Sequence, residues 1–117
     1  MTFDFDTSGA VQHPTRELPY RWSDLSPFAQ GYIRAAFADY QARVHGDANA
    51  GLAFSDLHPD TLASMLADCA AFQSRHPGHD TASHGRALWE SRQRGALPHL
   101  PPLRLSLDHN GKVIAHV

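Results

Sequence analysis

One pattern of polar and apolar residues occurs twice in this chain, and each copy is followed by apolar residues at helical spacing. The copies read WSDLSP at residues 22–27 and FSDLHP at residues 54–59. Each ends in a proline, and the first position of a helix tolerates proline because its N–H would have no partner there. Ser26 can also cap the first helix with its hydroxyl group. The repeat therefore predicts two helix starts and carries no catalytic signature.

The first helix is predicted over residues 27–44. Its apolar residues recur at intervals of three and four, which defines one buried stripe, whereas Gln41 and Arg43 are expected to face water with Arg34 and Asp39. The glycines of residues 45–51 then predict the end of the helix and an exposed loop. The expected buried stripe consists of Ala29, Tyr32, Ile33, Ala36, Phe37, Tyr40 and Val44.

The second helix is predicted over residues 59–75, with Asp60 in its first turn, where the helix dipole favours a negative charge. Leu25 and Leu57 each precede a cap and are expected to fold back as hydrophobic staples. We expect the first two helices to pack against each other. The predicted core face contains Leu62, Met65, Leu66, Cys69 and Phe72, and the residues expected to point outward are Ser64, Asp68 and Gln73.

A third, shorter helix is predicted to begin at a cap on Asp80 or Thr81 and to stop near Gly95. It carries Leu88 and Trp89, and Gly85 weakens its helical propensity. Residues 96–102 contain three prolines and are predicted to be extended.

The last residues predict an antiparallel hairpin with a three-residue loop at 109–111. This register places Asp108 opposite Lys112 as a charge pair at the rim and Gly111 at the left-handed position. A two-residue loop would split the apolar residues between both faces. The shared apolar face is expected to contain Leu103, Leu105, Leu107, Val113, Ala115 and Val117.

The first residues alternate between apolar and polar side chains, as in a half-buried strand. Phe3 and Phe5 fall on one side of a short edge strand predicted over residues 2–6. Residues 7–21 are expected to form a surface connection. Near its end, Tyr20 and Trp22 are expected to dock on the core. The fold class predicted from all these elements is α+β, with three helices and a small antiparallel sheet from the C-terminal hairpin and, as an option, the N-terminal strand.

Length and composition predict a single domain over residues 1–117 that works in the cytoplasm. The net charge of −2 lacks the basic footprint of a nucleic-acid-binding protein. The apolar runs are shorter than the roughly 20 residues of a membrane span, and the first residues do not resemble a secretion signal. The lone Cys69 cannot form an internal disulfide. We therefore expect no membrane partner, no direct nucleic-acid contact, and a monomer or homodimer.

Catalytic and metal chemistry has weak support in the sequence. His76, His79 and His84 are the densest group of possible metal ligands, but a zinc site needs three or four groups that converge on one ion. The chain has no Gly-x-Ser-x-Gly elbow, phosphate-binding glycine loop or His-Glu-x-x-His helix. Asp56 and Asp60 could be interpreted as paired carboxylates. Both lie at a helix start, however, where an acidic side chain ordinarily caps the helix or interacts with its dipole. We expect no enzyme activity, no catalytic residues, no metal and no cofactor.

The third helix combines the residue types that dominate binding hot spots: Arg86, Trp89, Arg92 and Arg94. They form the predicted partner-binding face, and replacing Arg86 and Arg92 by alanine is expected to weaken binding without lowering the melting temperature. The alternative is that Trp89 packs in the core and the arginines form its solvated border. The sequence leaves both interpretations open.

Residues 22–95 also carry motifs that resemble small accessory proteins of bacteriophages and prophages. The motifs are the Ser-Asp-Leu-x-Pro helix start, Asp68-Cys69-x-x-Phe72, and Gly85-x-x-Leu88-Trp89-x-x-Arg92, in that order. The segment after Gly95 departs from the pattern, because those proteins look shorter there.

The resemblance implies a protein of a mobile genetic element that acts inside a bacterial host. The leading hypothesis that follows is an anti-CRISPR-type protein, which would inhibit a type I CRISPR component by stoichiometric binding, at either the surveillance complex or the helicase-nuclease. The alternative is a phage structural or regulatory protein that self-assembles or binds a phage protein.

Overall fold

The residues that the structure describes form three helices and a two-stranded antiparallel sheet, which confirms the predicted α+β class. The computed structural model describes residues 18–46, 51–97 and 100–116. The predicted strand at 2–6 lies outside these residues, as do positions 47–50 of the predicted loop. The described elements are α1 (Pro27–His45), α2 (Pro59–Arg75), α3 (Ala82–Gln93), β1 (Arg104–Leu107) and β2 (Val113–His116), with 3-10 turns at Trp22–Asp24 and Phe54–Asp56.

Both copies of the repeat start helices, as predicted. Ser26 Oγ accepts a hydrogen bond from the Ala29 N–H at 3.2 Å, and His58 Nδ1 accepts one from the Asp60 N–H at 3.1 Å. The aspartate of each copy closes a 3-10 turn before the cap, because its carboxylate accepts the N–H three residues earlier, at 3.0 Å for Asp24 and 2.8 Å for Asp56.

The aromatic residues that open the two copies contact each other. The rings of Trp22 and Phe54 meet edge to face with centroids 5.3 Å apart, and the Arg34 guanidinium lies 5.2 Å from the centre of the Trp22 ring. Trp22 is half-buried, as a docked residue should be, but Tyr20 is 48% exposed. The expectation that Tyr20 docks on the core is therefore wrong.

Helix α1 packs against α2, as predicted, but it packs more extensively against α3. Two glycines explain the difference. A Cβ atom at Gly31 would overlap the Ala82 carbonyl, and one at Gly85 would overlap the Phe28 carbonyl. The backbones of α1 and α3 approach so closely that only glycine fits, so Gly85 contributes a packing role that its low helical propensity does not indicate.

For three residues, the structure reverses the burial or exposure that their helical spacing predicted. Val44 is 52% exposed, because the last turn of α1 carries it away from the core, whereas Gln41 and Asp68 are buried. Phe28, absent from the expected stripe, is fully buried. Contacts between helices account for two of these positions, since Phe28 stacks on Phe72 of α2 and Asp68 is paired with Arg92 of α3.

The hairpin has the predicted register, with Leu105 opposite Ala115 and Leu107 opposite Val113. A parallel bridge joins Val113 to Leu57, and the His58 N–H donates to the Val113 carbonyl at 2.9 Å. The sheet is thereby attached to the start of α2. Leu107 is 42% exposed and does not share the buried face as expected; it is the last residue of β1, next to the hairpin loop.

The predicted charge pair between Asp108 and Lys112 is replaced by other contacts. Asp108 Oδ1 accepts the N–H groups of Asn110 and Lys112, both at 2.9 Å. These bonds to the loop lower the pKa of Asp108. The Lys112 ammonium donates instead to the Ser55 carbonyl at 2.6 Å. Asp108 thus stabilises the hairpin loop, and Lys112 connects the hairpin to the second copy of the repeat.

Candidate functional site

An open groove lies between the outer faces of α1 and α3. Its volume is about 460 Å³, and it lies on the carboxyl side of the Gly31 and Gly85 contact in both helices. Small side chains on α1 leave room beside the larger side chains of α3. The residues that line this α1–α3 groove are Ala35, Ala38, Asp39, Arg86, Trp89, Glu90, Gln93 and Arg94.

The α3 side of the groove carries alternating charges. Arg86, Glu90 and Arg94 are spaced four residues apart and therefore line one face of the helix, and all three are exposed. Within the described residues, Arg86 and Glu90 form no ion pair, and Arg94 Nη2 donates to Ser91 Oγ at 3.4 Å. Asp39 is paired with Arg43 at 3.3 Å. The two guanidinium groups of the groove are thus available to a ligand of opposite charge.

The other two residues of the predicted binding face lie inside the protein. Trp89 is 2% exposed and Arg92 is 5% exposed, so neither presents its side chain to a partner. The interpretation of Trp89 as a core residue is confirmed, but Arg92 is not part of a solvated border. The predicted four-residue face is corrected to Arg86 and Arg94, which are exposed and line the groove.

Arg92 forms a buried ion pair with Asp68 of α2. Tyr32 Oη of α1 donates to Asp68 Oδ2 at 2.7 Å, and Arg92 Nη1 donates to Tyr32 Oη at 3.4 Å. Arg92 Nε donates to the Pro101 carbonyl at 3.2 Å. A buried charge is tolerated when it is paired and hydrogen-bonded. This Tyr32–Asp68–Arg92 network therefore joins all three helices and the segment before β1.

Burial in and beside this network raises the pKa of two side chains, Tyr32 and Cys69. Burial and the neighbouring Asp68 carboxylate raise the pKa of Tyr32 well above its ordinary value. Burial, followed by the charge of Asp68, also raises the pKa of the Cys69 thiol to about 12. A buried thiol that stays protonated at neutral pH is a poor nucleophile.

The three histidines singled out in the sequence do lie together. The ring centroids of His76 and His79 are 5.3 Å apart, and those of His79 and His84 are 4.4 Å apart. Over residues 18–46, 51–97 and 100–116, however, no three histidine, cysteine or acidic side chains are arranged to hold a metal ion. The rings contact one another instead of converging on a common point.

Asp56 and Asp60 have the helix-start surroundings that their positions predicted. Asp56 closes the turn at residues 54–56, and Asp60 Oδ2 lies 3.9 Å from His58 Nδ1 at the start of α2. Asp56 thus contacts the backbone of the turn, and Asp60 lies beside the capping residue of α2.

Comparisons with protein-family models, with curated proteins and with solved structures find no match for this chain. The resemblance to phage accessory proteins thus rests on the motifs alone, and those motifs have structural roles. Gly85, Leu88, Trp89 and Arg92 are the buried face of α3, and Asp68 is the ion-pair partner of Arg92. None of the helices formed by the described residues is long and apolar enough to cross a bilayer.

Proposed function

We propose that this protein is a non-catalytic binding protein that acts by occupying the surface of another protein through the α1–α3 groove. The observation that supports this proposal most is the position of Arg86 and Arg94, two exposed arginines that line the groove. Arginine is one of the residue types enriched in binding hot spots.

The construction of the groove suits recognition by a preformed surface. Its two walls belong to helices that are locked together by backbone contact at Gly31 and Gly85. A rigid site loses little conformational entropy when a partner binds. We therefore expect binding with little change in the backbone of α1 and α3.

The charges of the groove indicate the chemistry of its partner. A guanidinium group binds a carboxylate through two parallel hydrogen bonds, so Arg86 and Arg94 favour a surface with two acidic side chains. Those acidic groups should be separated by a distance comparable to two helical turns, about 11 Å, with a basic or polar group between them opposite Glu90.

The finer proposal is that the partner belongs to a type I CRISPR system and that binding inhibits it, at the surveillance complex or the helicase-nuclease. Its support is the resemblance carried by the motifs of residues 22–95. A protein of 117 residues can present the roughly 800 Å² per partner of a standard interface, which suits inhibition by steric occupation.

The test is phage plaquing on bacterial strains with active type I CRISPR immunity. Expression of the wild-type protein should restore plaquing of a targeted phage in at least one subtype. The variant Arg86→Ala/Arg94→Ala should not restore it, whereas Arg75→Ala/Arg104→Ala, which removes two exposed arginines outside the groove, should act like the wild type.

Failure of the folded wild-type protein to restore plaquing in every type I subtype would reject the CRISPR target. In that case, wild-type binding to a purified phage protein would support the phage structural or regulatory alternative. Equal rescue by both double variants would retain inhibition but reject the groove as its site.

A further inference from the structure

The charged side chains of α3 alternate in sign along the α1–α3 groove. Arg86, Glu90 and Arg94 line the groove, and all three are exposed. Arg94 is the C-cap of α3, and its φ of −78° and ψ of −5° continue the helical path. The three side chains therefore follow one another at intervals of about 6 Å, the rise of four helical residues. This charged row reads positive, negative, positive.

Glu90 determines which class of macromolecule suits the charged row. A nucleic-acid backbone presents only negative charges, so it would place a phosphate near the Glu90 carboxylate, and like charges that face each other in an interface are unfavourable. On the opposite wall, Asp39 adds a second carboxylate, which pairs with Arg43 at 3.3 Å. The groove therefore favours a partner whose own charges alternate, and protein surfaces have this property.

The walls of the groove indicate the conformation of the segment that it binds. Both walls are helices, whose backbone N–H and C=O groups already bond to one another. An extended segment would find no backbone partners there, and unpaired backbone groups are costly when they are buried. A helix satisfies its own backbone, and its side chains four residues apart recur on one face at the same interval of about 6 Å.

We propose that the α1–α3 groove binds an α-helix of the partner protein, one that carries an acidic, a basic and an acidic side chain at four-residue intervals. This inference rests on the proposed function, because it concerns the same groove. The two acidic groups bind Arg86 and Arg94, and the basic group binds Glu90. All three ion pairs form together when the partner helix lies along α3. The short side chains of Ala35 and Ala38 leave room for it beside α1.

The test uses the full-length protein and synthetic alanine-rich peptides of about 20 residues, because shorter isolated helices are marginal in water. The matched peptide carries glutamate, lysine and glutamate at four-residue intervals, and the reversed peptide carries lysine, glutamate and lysine there. The shifted peptide has the composition of the matched peptide but five-residue intervals, which scatter the charges around the helix. The broken peptide is the matched peptide with a central proline, which disrupts the helix.

NMR titration at low ionic strength gives the dissociation constant of each peptide. The wild type should bind the matched peptide at least about fivefold more tightly than the other three, the size expected of three exposed ion pairs. The variant Arg86→Glu/Glu90→Lys/Arg94→Glu should instead prefer the reversed peptide. The control Arg75→Glu/Arg104→Glu, which changes two exposed arginines outside the groove, should keep the preference of the wild type.

Three results would overturn the proposal. The first is failure of the matched peptide to bind, and the second is equal affinity for the matched peptide and the shifted or broken peptide. The third is dimerisation of the wild type that the charge-reversed variant loses, since a second copy of this chain would then be the occupant of the groove.

The peptide titration and the plaquing assay fail independently. Rescue of plaquing that depends on Arg86 and Arg94, without a preference for the matched peptide, would reject the helical partner and retain the proposed function. A preference for the matched peptide without rescue in any type I subtype would reject the CRISPR target and support the helical partner.

Discussion

The inner and outer faces of α3 use the same side chain in opposite surroundings. Arg92 on the inner face is 5% exposed and paired with Asp68, whereas Arg86 and Arg94 on the outer face are exposed beside the α1–α3 groove. Arg92 lies six positions after Arg86. At roughly 100° per residue, the two side chains are therefore about 240° apart around the helix axis.

This difference shows that residue type alone does not locate a binding face. Arginine and tryptophan on one short helix resemble a hot spot, but the packing of α3 between α1 and α2 turns Trp89 and Arg92 inward. The inner face should therefore control stability and the outer face should control binding.

The largest expected effect is on the inner face. Replacing Arg92 by alanine leaves the Asp68 carboxylate buried without its cation, and loss of one member of a buried ion pair costs about 3–5 kcal/mol. Urea unfolding of Arg92→Ala should show this loss in the free energy of unfolding. Arg94→Ala, two residues away and exposed, should change it by less than about 0.5 kcal/mol. Equal effects of the two substitutions would contradict the assignment of the faces.

A second prediction concerns the contact that places α3 against α1. Gly85→Ala introduces a Cβ atom that overlaps the Phe28 carbonyl, and we expect a loss of about 3 kcal/mol because two backbones must separate. Gly78→Ala is the matched control, since a Cβ atom there meets nothing within 4 Å. Thermal unfolding of both variants gives the comparison, and a melting temperature for Gly85→Ala at or above that of the control would refute the close-packing role.

The smallest stability effect is expected at the hydroxyl group of the network. Tyr32→Phe removes the hydrogen bond to Asp68 but keeps the ring beside Trp89, with which it forms an edge-to-face contact at 5.5 Å. A hydrogen bond to a charged group contributes about 1.5–3 kcal/mol, and the lower part of that range is expected because Arg92 still pairs with Asp68. Urea unfolding measures it, and a loss as large as that of Arg92→Ala would mean that the hydroxyl group and not the ion pair holds the network.

Local structure was predictable from the sequence because its causes are local. The proline and capping residues of each repeat determine where α1 and α2 begin, and the three-residue loop before Lys112 determines the register of the hairpin. The N-cap at Thr81 was one of two predicted positions for the start of α3.

The inner network was not predictable in the same way, because its members are far apart in the sequence. Asp68 occupies a position of α2 that faces water when the helix is considered alone, and it is buried only because α3 supplies Arg92, 24 residues later. The packing role of Gly85 likewise depends on the backbone of α1, which lies against it only in the folded protein. The outer groove combines four-residue spacing on α3, which the sequence contains, with small residues of α1 whose proximity depends on tertiary packing.

The most direct test of the two-face account is a quantitative pull-down from a host with type I CRISPR immunity, using the wild type and the variants Arg86→Ala/Arg94→Ala and Arg75→Ala/Arg104→Ala. If the proposed function is correct, the wild type enriches a CRISPR component, and we predict that this enrichment falls by at least about tenfold with the groove variant. It should remain at the wild-type level with the control, while all three proteins unfold at the same urea concentration. Full retention of that component by a groove variant of unchanged stability would contradict the assignment of the outer face of α3 to binding.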